Sequence, residues 1–156
     1  MERPTNKKNF LTVGEVDIVR RSFLNLGNEN AHAGEVFYRQ LFALQPELRG
    51  LFVGDMDNQS EKMTNMLGMI VSQIHNMPEL LPMLSDLAKR HLVYGVRVEH
   101  YQHVGHALLS MMKEIMGHQF NTEVAEAWTK AYDGIAITMI YNSFGQEGAA
   151  QYRSSA

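Results

Sequence analysis

Apolar positions along this chain recur every three or four residues rather than every second one. Met63, Met66, Leu67, Ile70, Val71 and Ile74 form one such stripe, and Val36, Phe37, Leu41 and Phe42 form another. That is the period of an amphipathic helix. Alternating β-branched runs are missing, and Met, Leu, Ala, Glu and Gln dominate the periodic segments. The pattern therefore predicts an all-α fold.

Caps and breakers divide the pattern into six principal helices and a short turn. Thr12 with Glu15 three residues on reads as a capping box opening a helix to about Leu26, which the Gly27-Asn28 pair ends. A second helix is expected from about Glu29 to Leu44. Pro46 then starts a short turn, PELRGLF, followed by the polar loop GDMDN. A third helix is expected to be capped at Ser60 or a neighbour. After Pro78 comes an apolar helix with Pro82 in about its first turn, broken by Gly95. Glu99 to Met116 and Thr122 to about Phe144 read as the two longest helices, and the stretch GQEGAAQYRSSA reads as frayed. Residues 1–156 read as one domain with its core at about 12–144.

Composition narrows the function classes. Apolar residues make up 45%, an ordinary globular share, and there is no cysteine. Disulfides, thiolate metal sites and a Cys nucleophile are thereby excluded, and a cytoplasmic location fits. Fourteen Lys+Arg against seventeen Asp+Glu leave a formal charge of −3, which argues against nucleic acid as the main partner. The opening MERPTNKKNF lacks the apolar run of a signal peptide, and no run reaches the length of a membrane span. Eleven methionines suit an irregular apolar interior.

The histidines carry the candidate chemistry. His32, His75 and His118 lie near helix ends, where solvation is the ordinary state. His100, His103 and His106 recur at every third residue, which spreads the outer two by about 120° around a helix. That spacing reads as a polar stripe rather than a metal site. His91 differs, because it ends an apolar helix containing Leu84, Leu87 and Ala88. A neutral imidazole on such a wall needs a partner for each nitrogen. Iron on one nitrogen and a main-chain carbonyl on the other would satisfy both, and so would the ordinary alternative, a core histidine satisfied within the protein.

The segment LAKRHLVYGVRVEHYQHVGHALL resembles the proximal-histidine region of globins, especially bacterial single-domain globins and the haem domain of flavohaemoglobins. Pro46 and Phe52 in the upstream stretch FYRQLFALQPELRGLF match further positions of that family, as does AWTKAY at 127–132. The resemblance covers residues 12 to 144. It implies the globin fold, a 3-on-3 helical sandwich around haem b (iron protoporphyrin IX), with His91 as the iron ligand and Phe52 against the porphyrin. It implies that Met63, Leu87, Val96, Tyr101, Val104 and Tyr132 line the haem, and that Lys62 and Arg90 pair with its propionates. It also implies that Tyr38 and Gln59 donate hydrogen bonds to the bound gas.

The function implied by the resemblance is reversible binding of O2, and of NO or CO, at an iron that is pentacoordinate or water-bound. The family's proximal carboxylate is missing: Ser143 stands at the aligned position, which argues against strongly activated oxygen chemistry. No flavin or NAD-binding reductase is expected in 156 residues, so a nitric oxide dioxygenase cycle would draw electrons from an external reductase. A gas sensor acting with a separate partner is a further alternative, and a helical bundle without haem, using His100, His103 and His106 for a metal or for nothing, is the last.

Overall fold

The computed structural model describes residues 10–26 and 30–155. The polar opening at 1–9, the Gly27-Asn28 stop and the Glu29 start lie outside them. Among the described residues there is no strand, and six α-helices follow in order: α1 (Val13–Leu24), α2 (Asn30–Leu44), α3 (Met56–Gln73), α4 (Met77–Val93), α5 (Val98–Met116) and α6 (Thr122–Ser155). A 3-10 turn over Pro46–Leu51 links α2 to α3.

The capping box at the start of α1 is present. The Glu15 N–H donates to the Thr12 hydroxyl at 3.1 Å, and the Thr12 N–H donates to the Glu15 carboxylate at 2.8 Å. Helix α3 opens a turn earlier than the apolar stripe suggests. Its cap is Asp55, whose side chain accepts from the Asp57 N–H. The first turn is polar and solvated, so it carries no apolar signal, and the expected cap Ser60 lies inside the helix, buried. Helix α4 begins at Met77 with Pro78 in its first turn, and Pro82 sits further inside it.

The stretch after Phe144 is not frayed. It is helical through Ser155, with Gly148, Ala149 and Tyr152 buried. Gly145 interrupts it with φ 72° and ψ −165°, so α6 is two helices joined at a kink.

Helix α2 packs against α5 and α3, while α6 packs against α5, α4 and α1. The core runs through all six helices, with Val19, Leu26, Leu41, Ile74, Leu80, Leu84, Met112 and Ile140 among its fully enclosed members. Two contacts fix the spacing. At the α2–α3 crossing a Cβ on Gly34 would stand 2.6 Å from the Ser60 carbonyl oxygen, so only a residue without one permits this approach. Between α1 and α6 the buried Trp128 donates from Nε1 to the Ser22 hydroxyl at 2.7 Å. Ser22→Ala leaves that buried donor unpaired, and a loss of about 1–3 kcal/mol is expected from denaturant unfolding. An unchanged midpoint and slope would contradict it.

No helix of the described residues is long and apolar enough to cross a membrane.

Candidate functional site

Helix α4 presents a buried face of Leu80, Leu84, Leu87 and Ala88, and His91 stands one turn beyond Leu87 on the same side. The imidazole Nδ1 lies 2.8 Å from the Leu87 carbonyl oxygen. That contact makes Nδ1 the protonated nitrogen and leaves Nε2, which has no hydrogen bond among the described residues, as the bare lone pair. Burial lowers the His91 pKa, the Leu87 bond opposes this, and the Arg90 charge adds to the lowering. The ring is thus held neutral, in one tautomer, with a nitrogen available to a metal.

A second cluster, on α2 and the turn that follows it, is aromatic. Tyr38 on α2 is buried and meets three rings: Phe37 at 5.0 Å edge-on, Phe42 at 5.8 Å stacked and Phe52 at 5.1 Å edge-on. Phe42 and Phe52 meet at 5.6 Å. These offset and T-shaped arrangements match the ring quadrupoles and fix each ring against the next. Arg49 donates to the Phe52 carbonyl at 3.0 Å and stands over the Phe42 ring. Burial pushes the Tyr38 pKa up to about 12, so its hydroxyl stays a donor at neutral pH.

Gln59 lies in the first turn of α3, and its amide donates to the Val53 carbonyl at 3.3 Å. Met63 follows one turn on and is partly buried against the core, as are Val96, Val104 and Tyr132. Tyr101 is buried, which raises its pKa to about 12. The Tyr132 hydroxyl donates to the Tyr101 carbonyl at 2.6 Å. Lys62 is exposed, and Arg90 pairs with Asp86 one turn back at 3.5 Å.

Ser143 on α6 reaches α4 as well, donating to the Ala88 carbonyl at 3.2 Å rather than to the imidazole. No carboxylate is bonded to His91 among the described residues.

The other histidines do not assemble a site. His100 Nδ1 accepts the Arg97 N–H at 2.9 Å, which caps α5 and commits that nitrogen to the backbone. Among the described residues no group of three or more His, Cys, Asp or Glu is placed to hold a metal ion. His32 pairs with Glu35 at the surface, and His75, His106 and His118 are exposed.

Sequence reasoning assigns Phe37 and Phe42 no part in the site, although Phe42 stands one helical turn from Tyr38 and that spacing is an available signal. The bond from Ser143 to Ala88 has no signal at all, since its acceptor is main chain.

Comparison with known proteins identifies the fold and the family. The family model of the globins matches residues 35–139. A flavohemoprotein of Rhizobium meliloti is 30% identical over 130 residues, covering 81% of this chain and 32% of the relative. One from Vibrio cholerae is 29% identical over 134 residues, covering 84% and 34%. The chain thus spans about a third of the length of these curated relatives. Among solved structures, an engineered carbene transferase derived from a nitric-oxide-dioxygenase-type protein of Rhodothermus marinus superposes with a TM-score of 0.75. It is 26% identical and covers 93% of this chain and 98% of its own.

Proposed function

The chain belongs to the globin family, and from that premise we propose that it holds one haem b (iron protoporphyrin IX) through His91 and binds O2 reversibly, with NO and CO as related ligands. The observation that carries this reading is the His91 ring, fixed through Nδ1 on the Leu87 carbonyl with Nε2 uncommitted. Bound there, haem would supply an iron able to take a diatomic gas as a further ligand.

The chain's own residues do the rest. The Leu87 carbonyl orients the imidazole and raises its basicity. Phe52, Met63, Leu87, Val96, Tyr101, Val104 and Tyr132 supply apolar contact to the macrocycle and keep water from it. Lys62 and Arg90, both exposed, would be the cations available to the propionates. Tyr38, braced by three rings and kept protonated by burial, would be one hydrogen-bond donor to the bound gas, and the Gln59 amide would be the other. The absence of cysteine favours a cytoplasmic setting.

The test is the visible spectrum of the purified protein with and without CO, and then stopped-flow dissociation of O2. Tyr38→Phe and Gln59→Leu should each speed dissociation by roughly fivefold or more, the effect of losing one neutral donor. Unchanged rates in both variants would place the gas elsewhere. A protein that takes up no haem would end the reading altogether.

A second reading has one specific support, the likeness to the dioxygenase-type neighbour. It makes this chain a nitric oxide dioxygenase supplied with electrons by a separate reductase. Mixing the ferrous, oxygen-equilibrated protein with NO and measuring nitrate decides between them: turnover sustained by an added reductase supports the enzyme. Binding without turnover supports the carrier. The bonding at His91 weighs toward binding, because its acceptor is a neutral carbonyl and Ser143 brings no charge.

A further inference from the structure

Residues beyond Gly145 do something that neither the gas-binding reading nor the family membership calls for. In a straight helix, positions eight residues apart are separated by about 12 Å along the axis. Here a Cβ on Gly148 would stand 3.1 Å from Ile140 Cγ2 and 2.5 Å from Phe144 Cβ. The helical segment after the kink therefore turns back on the one before it. Small residues at 148 and 149 let the two lie close, and Gly145 makes the turn with φ 72°. That backbone region is costly for any residue carrying a Cβ. Nothing lies within 4 Å of where a Cβ on Gly145 would point. A substitution there is opposed by backbone conformation alone.

The returning segment places Tyr152 against two partners. Its hydroxyl donates to the Asp133 carboxylate at 2.8 Å, and its carbonyl accepts from Gln102 Nε2 at 3.2 Å. Asp133 and Gln102 are the immediate neighbours of Tyr132 and Tyr101, which are themselves joined at 2.6 Å. The Tyr132 ring also fills the space beside Gly105, where a Cβ would come within 2.8 Å of it. A single residue thus ties α6 to α5 at the level of Tyr101 and Val104.

We propose that the segment after Gly145 is a brace for the part of the haem pocket that the haem reading assigns to Tyr101, Val104 and Tyr132, with Tyr152 and Asp133 as positioning residues that hold the Tyr132–Tyr101 contact in register. This rests on the haem reading only for its effect on bound haem. The effect on the protein itself does not depend on it. Freed from the brace, the opening turns of α5 lose the contact that fixes Tyr101, and the wall that the haem reading builds from Tyr101 and Tyr132 loosens.

The experiment compares wild type with Tyr152→Phe, Gly145→Ala, Asp133→Leu and Asp133→Asn. Hydrogen exchange is measured by mass spectrometry on the haem-free protein. On the loaded protein, the readouts are haem transfer to an excess of an apo-globin acceptor and the iron–histidine stretching band. Tyr152→Phe keeps the ring and removes one bond, so exchange over residues 98–105 and the haem transfer rate should each rise roughly fivefold. Gly145→Ala should do more, and the iron–histidine band should shift in both. Asp133→Asn retains an acceptor oxygen and should stay near wild type, whereas Asp133→Leu should behave as Tyr152→Phe. Exchange rising evenly over all helices, with the band unmoved, would make the segment a general stabiliser and overturn the proposal. Unchanged exchange at 98–105 would overturn it too. A wild-type chain that takes no haem would sink the haem reading instead, and the exchange data would still judge the brace.

Discussion

A His91→Ala variant, produced with haem in ample supply, should come off the column without the Soret band of the wild type. Added imidazole should restore much of that band by entering the space the side chain left. The expected fall in haem affinity is at least about 100-fold, since even the loss of a partner one bond removed from a metal costs up to that much. The physical basis is the geometry at Nδ1, where the Leu87 carbonyl at 2.8 Å commits one nitrogen and fixes the tautomer. Burial meanwhile keeps the ring from protonating. Of the seven histidines, His32 is paired with Glu35 and His100 serves as a cap. Neither has the wall of Leu80, Leu84 and Ala88 beside it. Retention of a normal Soret band in His91→Ala, without imidazole, would move the ligand to another residue.

Gly34→Val should be the most damaging substitution among those that leave the ligand in place. A Cβ there already stands 2.6 Å from the Ser60 carbonyl oxygen and 2.8 Å from its Cβ, and branched methyl groups would have to push α2 and α3 apart. Overpacking of a core contact costs about 1–3 kcal/mol, and against backbone the upper end or beyond is expected here. The consequence reaches function because Tyr38 lies one turn along α2 from Gly34, and Gln59 is the neighbour of Ser60 on α3. The two proposed donors are thus set apart by this crossing. The unfolding temperature should fall, and O2 dissociation should quicken, in the same variant. Gly34→Ala gives a graded check: about 1 kcal/mol of helix propensity offsets part of the clash, so its loss should be smaller. A Gly34→Val protein as stable as wild type would mean that the helices are not in contact there.

How far the sequence alone reaches depends on whether a residue's partner is a side chain at helical spacing. The stripe Met63 to Ile74 and the Thr12–Glu15 box are local, so helix type and one boundary are read directly. His91 stands out because its helix is apolar, and its carbonyl partner lies one turn back, within reach of the same reasoning. The start of α3 escapes the pattern because a solvated first turn has no apolar periodicity, even though Asp55 is a good cap. The helix after Gly145 escapes it more completely. Its composition is polar and glycine-rich, and what makes it ordered is the docking of Tyr152 onto Asp133, nineteen positions away in sequence, and onto Gln102, fifty away. Such contacts leave no periodic trace. The same holds for Ser143, whose hydroxyl bonds a backbone oxygen of another helix.

The bond between Trp128 and Ser22 equips the protein with an optical gauge. Trp128 is the chain's one tryptophan, it is 3% exposed, and it joins the first described helix to the last. Its emission should therefore be blue-shifted in the folded apo-protein and move to the red when α1 leaves α6. A porphyrin in the same small fold would drain that emission by energy transfer, so uptake could be titrated at micromolar protein with no label and no change to the chain.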